Sequence, residues 1–201
     1  MIATPQEVLD FWFVECEPAD WFKKSEEFDN EIRSRFLETY EAIVNGETAD
    51  WRRSAKGRLA EIIVLDQFSR NMFRDDAKAF ASDALAVELA KEALSDWDEF
   101  SVQERSFVVM PFMHSESLAV HDWAAKWFDE PGLERRKKYE LLHSEIIERF
   151  GRYPHRNRVL GRTSTPEEEA FLKEQDHFLC GGFLILIVSS SSMKLFFQWE
   201  S

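Results

Sequence analysis

Apolar residues recur every three or four positions along most of the chain, a spacing that places them on one face of an α-helix. The clearest stripe contains five large residues, Phe28, Ile32, Phe36, Tyr40 and Ile43. Similar stripes lie within residues 59–68, 85–93, 118–127 and 142–150. No segment alternates apolar and polar residues for long enough to indicate a β-strand. The pattern therefore predicts an all-α fold.

Several helix boundaries can also be read from the sequence. Three segments have Thr or Ser followed three residues later by Glu, the pattern of a capping box at a helix start: Thr4–Glu7, Ser101–Glu104 and Thr165–Glu168. Gly46 and Gly151 follow apolar stripes and suit helix ends. These signals predict roughly seven or eight helices joined by short loops. Such a chain builds a bundle or stacked antiparallel helix pairs, although it shows no clean repeat of the TPR type.

Composition limits the partners and the compartment. The 201 residues suffice for one domain with a hydrophobic core. A net charge of −13 repels phosphate backbones, so we expect no binding to nucleic acid. Cys16 and Cys180 form no CxxC motif and indicate neither a disulfide framework nor a zinc site. The first residues lack the features of a signal peptide, so the expected compartment is the cytoplasm.

The C-terminal end departs from the helical pattern. We assign residues 1–176 to a single helical domain and residues 177–201 to a divergent, apolar and serine-rich tail. Its apolar run, residues 178–188, is shorter than the roughly 20 residues that span a bilayer. Residues 178–197 could form a membrane anchor, which would make the protein a membrane-tethered scaffold. The alternatives are an element packed on the domain or a non-native or divergent terminus, and the serines and Lys194 favour these.

One segment reverses the sign of the chain's charge. Residues 149–162 contain five arginines and one histidine with no carboxylate, and their two glycines and one proline indicate a loop. Arginine forks and free loop amides suit a carboxylate or a phosphate. The candidate residues here are Arg149, Arg152, His155, Arg156 and Asn157. The alternative, which the sequence leaves open, is that these arginines pair with the protein's own carboxylates and with helix C-termini.

A second candidate set lies on the helix predicted around residue 65. Asp66, Arg70 and Arg74 are spaced by four residues and would share one helix face, with Asn71 beside them. This polar ridge could contact a ligand inside a groove. It could also be an ion-paired strut between helices, and the spacing of Asp66 and Arg70 favours that alternative for those two residues.

Histidines and carboxylates further along the chain are the candidates for catalysis. His114 and Glu116 are close in sequence, and His143 lies on a predicted helix face. With Glu116 or Asp66 as acid or base and His114, His143 or His155 as its partner, an enzyme is the alternative to a binding protein. None of these spacings matches a metal site, and glycine-rich phosphate loops are absent, so we expect neither a metal nor a cofactor.

Long strings of the sequence carry a family resemblance. They include LDQF at residues 65–68, PFMHSE at residues 111–116 and RFGRYPHRN at residues 149–157. With shorter matches in order from Val8 to Leu172, these strings resemble the bacterial domain-of-unknown-function 924 family. The resemblance implies an all-α, TPR-like superhelical fold. It implies no established activity.

The function that these observations favour is a binding module. An inner groove between stacked helix pairs would hold an anionic ligand, either a peptide carboxylate or a small phosphorylated or carboxylated metabolite. The residues predicted to contact this ligand are Asp66, Arg70, Asn71, Arg74, His114, Glu116, His143, Arg149, Arg152, His155, Arg156 and Asn157. The sequence does not indicate an oligomeric state.

Overall fold

The computed structural model describes residues 1–174 and the two short segments 179–180 and 183–184. Its first 174 residues are all-α, as the apolar spacing predicts. The α-helical segments are α1 Pro5–Asp10, α2 Glu26–Val44, α3 Ala55–Ile63, α4 Ser69–Met72, α5 Asp83–Ala93, α6 Val102–Val108, α7 Met110–His114, α8 Leu118–Ala124, α9 Glu134–Phe150 and α10 Pro166–Glu174. Two π-helical turns are Phe11–Glu15 and Val64–Phe68. The 3₁₀ segments are Asp20–Phe22, Ala49–Arg53, Ala77–Phe80, Leu94–Glu99, Ala125–Asp129 and Pro154–Arg156.

Some of these segments join end to end. The π-helical turn Val64–Phe68 continues α3 directly into α4, with helical dihedral angles at both junctions. Val109 likewise links α6 to α7 in helical conformation. With these two junctions counted as continuous, the described residues form eight helices, in agreement with the seven or eight predicted. The TPR-like stacking of helix pairs stays a prediction.

The predicted helix boundaries are confirmed by their hydrogen bonds. Thr4 and Ser101 each form a capping box, in which the hydroxyl accepts a backbone N–H and the Glu three residues later accepts the cap's own N–H. Thr165 does the same with Glu168 ahead of α10. Gly151 ends α9 with φ +68°, a left-handed conformation that a residue with a Cβ adopts only at a cost.

The tail contributes one small described element. Strands β1 Leu179–Cys180 and β2 Phe183–Leu184 pair antiparallel, with Leu179 opposite Leu184. The rest of the predicted anchor at residues 178–197, and the predicted domain boundary at residue 176, lie outside the described residues. Over the part of the chain that is described, no helix has the length and apolar character that crossing a bilayer requires.

Aromatic side chains dominate the main hydrophobic core. Phe68 lies 4.7 Å from Phe36 and 5.3 Å from Trp12, measured between ring centroids. Phe107 adds an edge-on contact to Trp12 at 5.8 Å. These rings come from α2, α6 and the two π-helical turns, and around them α1 packs on α3, α2 on α4 and α3 on α5. Burying each ring stabilises the fold by about 1.5–3 kcal/mol relative to leaving it exposed.

A second, smaller hydrophobic cluster lies at the C-terminal end of α9. It contains Ile146, Ile147, Tyr153 and Phe171, with Phe150 packed against it. Helix α9 also packs on α7 and α8, so this cluster adjoins the main core. The charged and polar side chains buried nearby, on α3–α4, α5, α7 and the 153–157 segment, belong to the candidate site.

Candidate functional site

A buried ionic network joins four separate parts of the chain. Asp66 lies in the π-helical turn between α3 and α4, and its Oδ1 is 2.7 Å from Nδ1 of His114 at the end of α7. The guanidinium of Arg70, in α4, is 3.7 Å from the same oxygen. Both members of the Asp66–His114 pair are almost fully buried. The structure therefore brings together two candidate residues that are 48 positions apart in the sequence.

Asp83, the first residue of α5, holds two arginines at once. Its Oδ1 is 2.7 Å from Nη2 of Arg70, and its Oδ2 accepts a hydrogen bond of 3.0 Å from Nη1 of Arg156. Both guanidinium groups also lie over the ring of Phe80, at 4.7 and 4.4 Å from its centroid. The network therefore depends on a single carboxylate that links α4 to the segment after α9.

Arg156 has more hydrogen-bond donors than acceptors around it. Besides the bond to Asp83, its Nη2 donates to the backbone carbonyl of His114 at 2.9 Å. Its guanidinium stacks on Tyr153 at 4.6 Å from the ring centroid. The side chain is only 5% exposed, and its Nε has no hydrogen-bond acceptor within the described part of the chain. A buried donor without an acceptor costs roughly 1–3 kcal/mol, and Arg156 Nε shares this condition with other buried donors of the described residues, such as Nε1 of Trp97 and of Trp127.

The protonation states in the network follow from its neighbours. Burial raises the pKa of Asp66, but the charge and hydrogen bond of His114 and the charge of Arg70 outweigh it, so the pKa lies below its usual range. Burial, aided by the charge of Arg70, lowers the pKa of Arg156 although Asp83 opposes the shift. Asp66 is thus held ionised beside His114 and Arg70.

A pocket of about 220 Å³ opens beside this network. Its charged wall consists of Asp83, Glu116 and Arg156, and Ser115 lies beside them. Its apolar wall is formed by Ala77, Phe80, Ala81, Val87 and Leu160. Two of the predicted ligand-binding residues, Glu116 and Arg156, therefore line it, whereas Asp66, Arg70 and His114 form the ionic network behind Asp83 and Arg156.

Glu116 is held at the pocket wall by several donors. Both guanidinium Nη atoms of Arg162 donate to it, at 2.6 and 2.9 Å, and the backbone N–H of Tyr153 donates at 2.7 Å. Burial raises the pKa of Glu116, but these hydrogen bonds and the charge of Arg156 lower it further than burial raises it. Glu116 therefore carries a negative charge at the pocket wall at neutral pH.

The four histidines in the described part of the chain gather around Tyr153. The Tyr153 hydroxyl donates to the carbonyl of Met113 at 2.6 Å and lies 3.3 Å from Nε2 of His121. The rings of His143 and His155 are 5.6 and 5.5 Å from the Tyr153 ring. The ring of His114 is 6.4 Å from that of His143.

Burial decides the charge of two of these rings. It lowers the pKa of His143 to about 3, and the charges of His114, His121 and Arg156 act in the same direction. Burial and the charge of Arg156 place the pKa of His155 well below its usual range. Both rings are therefore neutral at neutral pH. His143 donates from Nδ1 to the Tyr139 carbonyl, at 2.8 Å, and has no carboxylate among its hydrogen-bond partners.

The arginines of the 149–162 segment do not converge on one hollow, and the structure favours the alternative that the sequence left open, pairing with the protein's own carboxylates. Each is next to a carboxylate: Arg149 to Glu167 at 2.9 Å, Arg152 to Glu168 at 2.7 Å, Arg156 to Asp83 at 3.0 Å, Arg158 to Asp75 at 2.8 Å and Arg162 to Glu116 at 2.6 Å. Asn157 donates to Glu168 and to Ser164. The surplus of acidic side chains thus supplies internal partners, and only Arg156 of this group lines the pocket.

The ridge predicted for Asp66, Arg70 and Arg74 also needs correction. Helix α4 ends at Met72, so Arg74 lies beyond the helix and binds Asp29 of α2, with an Nη2–Oδ1 distance of 2.7 Å. Asn71 donates to the same Asp29 oxygen at 2.8 Å. Asn71 and Arg74 are therefore part of a link between α2 and α4, and neither lines the pocket.

Both the sequence and the fold of this chain resemble those of known proteins. A family model described as a bacterial protein of unknown function, DUF924, matches residues 8–176. The chain belongs to the DUF924 family. A solved structure of ATU0120 from Agrobacterium tumefaciens, described as a protein of unknown function, matches with a TM-score of 0.77 and 36% identity over 85% of this chain and 97% of that chain. No protein with a curated description matches the chain.

Some residues of this DUF924 site were not singled out from the sequence. Asp83 and Phe80 contact the two arginines; Phe80 lies in one of the shorter family matches, whereas Asp83 has no motif of its own. Tyr153 is inside the RFGRYPHRN string, and its central position could have been suspected from that string. No group of three or more His, Cys, Asp or Glu side chains in the described residues has the arrangement of a metal site.

Proposed function

We propose that this DUF924 chain is a binding module for a small ligand with a negatively charged group, held in the pocket beside Asp83, Glu116 and Arg156. The observation that carries the proposal is Arg156, which is buried, lines the pocket and has an Nε donor without an acceptor. A carboxylate or phosphate oxygen supplies the acceptor that such a guanidinium lacks.

Two further features support the same assignment. The Arg156 guanidinium is stacked between Phe80 and Tyr153 and bonded to Asp83, so its position is set before a ligand arrives. The pocket is smaller than the roughly 300–1,000 Å³ of drug-sized sites, which suits a metabolite or a peptide terminus. Arg70 and His114 act behind the wall, where they hold Asp83 and Asp66.

The test is a thermal-unfolding screen of carboxylated and phosphorylated metabolites. A ligand at a hundredfold its Kd stabilises the protein by about 2.7 kcal/mol. We expect this stabilisation in the parent chain and in the control Arg158→Lys, whose side chain is exposed. Arg156→Lys keeps the positive charge but lacks the planar guanidinium group. The stabilisation that a ligand gives this variant, measured against the unliganded variant, should therefore be smaller than in the parent chain. Absence of stabilisation by every compound would end the proposal.

Acid–base catalysis in the same region is the second candidate, and the Asp66–His114 pair favours it. A carboxylate bonded to Nδ1 orients an imidazole for proton transfer in catalytic dyads and triads. His114 does not line the pocket, however, and Glu116 is engaged by Arg162 rather than by a histidine. Binding is therefore the function with the stronger support.

A further inference from the structure

The pocket wall carries both signs of charge. The side chains of Asp83 and Glu116 remain 16% and 25% exposed, and both line the pocket together with Arg156. Their oxygens already lie in ion-pair contact with Arg70, Arg156 and Arg162, yet each carboxylate oxygen can accept more than one hydrogen bond. The wall therefore offers acceptors for a cationic group as well as a donor for an anionic one.

The arginines and carboxylates in contact around the pocket balance one another in charge without a ligand. The cations Arg70, Arg156 and Arg162 are matched by the anions Asp66, Asp83 and Glu116, each in contact with at least one of them. A phosphate group would bring close to two negative charges beside two carboxylates, and like charges in a partly buried site repel strongly. A ligand that carries one positive and one negative group leaves the balance unchanged.

The remaining surface of the pocket is apolar. Phe80, Val87 and Leu160 contribute large apolar side chains, and Ala77 and Ala81 leave space between them. The part of the ligand that contacts this surface therefore needs no charged or polar group. An aliphatic side chain gains about 0.8 kcal/mol for each methylene that it buries there.

We propose that the pocket binds an aliphatic α-amino acid, with its carboxylate on Arg156, its ammonium group on Asp83 and Glu116, and its side chain against Val87 and Leu160. This inference rests on the proposed function and narrows its ligand to a zwitterion. Of the two anionic groups proposed for the ligand, it favours a carboxylate over a phosphate.

The experiment is isothermal titration calorimetry of the 201-residue chain with a matched set of probes. The amino acids are L-valine, L-leucine and L-methionine. Two analogues each lack one charge of leucine: 4-methylpentanoate has no ammonium group and 3-methylbutylamine has no carboxylate. Inorganic phosphate is the last probe. We expect at least one amino acid to bind, and if leucine binds, each analogue should bind at least tenfold more weakly.

The outcomes separate the inference from the function on which it rests. If 4-methylpentanoate binds as tightly as leucine, or if phosphate binds and no amino acid does, the zwitterion is refuted while anion binding stands. If no probe binds and the metabolite screen is also empty, both are refuted. These measurements use the parent chain and do not depend on whether a variant folds.

A variant then tests the position of the ammonium group. Asp83→Asn should weaken leucine binding at least tenfold more than it changes 4-methylpentanoate binding, because both probes meet the altered Arg156 and only leucine carries the ammonium group. Glu88→Gln, on the exposed face of the same helix α5, is the matched control and should leave both affinities unchanged. An equal loss for both probes in Asp83→Asn overturns the assignment of the ammonium group to this carboxylate.

Discussion

Asp83 is the residue whose loss the structure predicts to be most disruptive at the site. It is the carboxylate that neutralises two buried arginines, Arg70 and Arg156, from opposite sides. Asp83→Asn keeps the size of the side chain and removes its charge. Both guanidinium groups would then stay buried beside Phe80 with less of their charge neutralised. Asp66 would not replace Asp83, because it is 3.7 Å from Arg70 and already pairs with His114.

The magnitude follows from the burial of the pair. Removing one partner of a buried ion pair costs about 3–5 kcal/mol, mostly because the other charge is left uncompensated. Asp83 retains some exposure, so we expect the lower end, about 3 kcal/mol. For a chain of this length that corresponds to a fall in Tm of roughly 6–12 °C.

Urea unfolding followed by circular dichroism measures this loss. The free energy of unfolding should fall by about 3 kcal/mol with an unchanged m-value, since the surface exposed on unfolding is the same. Glu88→Gln, at an exposed position of α5, should change it by less than about 0.5 kcal/mol. A loss below about 1 kcal/mol in Asp83→Asn would mean that water or another side chain compensates the arginines, and the account of the network would be wrong.

Three further predictions address the core and its titration. Below pH about 6.5 the unfolded chain binds a proton at His143, whereas the native chain binds it only near pH 3. As the pH is lowered from 6.5 to 4.5, the free energy of unfolding should therefore decrease by up to about 1.4 kcal/mol per pH unit. His143→Gln should make this dependence on pH less steep. Gly57→Ala places a methyl group 2.0 Å from the Trp51 carbonyl oxygen and should cost about 1–3 kcal/mol in urea unfolding; a neutral result would mean that this backbone shifts freely. Tyr153→Phe leaves the buried Met113 carbonyl without its 2.6 Å donor and should lower the unfolding free energy by about 1–3 kcal/mol in the same assay, and no change would show that water replaces the hydroxyl.

The helices were predictable because their signals are local. A stripe such as Ile32, Phe36 and Tyr40 is written within one helix, and the caps at Thr4 and Ser101 involve residues three positions apart. The π-helical turn at Val64–Phe68 was not predictable in this way, since tertiary packing sets it. Asp66 and Arg70 still lie within 3.7 Å of each other, but α4 ends at Met72, so Arg74 leaves the face that the regular spacing predicts.

The site was predictable only in part because its partners are distant in sequence. The strings around His114 and Arg156 drew attention to the correct segments, and Asp66 meets His114 across 48 positions. Which carboxylate pairs with each arginine depends on proximity in the folded structure, and composition and sequence spacing do not reveal that proximity. Asp83 had no local signature, although it holds the arginines at the pocket together.

The double engagement of Asp83 has a consequence for how the molecule opens. Detaching the C-terminal segment that carries Arg156 would break its ion pair with Asp83 and its hydrogen bond to the His114 carbonyl, so local fraying of α9 and α10 away from the remaining helices is opposed. The two hydrophobic clusters should then unfold in one cooperative transition. Amide hydrogen exchange tests this expectation: the backbone amides of α9 should be protected nearly as strongly as those of the buried helix α3, and more strongly than those of a fraying terminus.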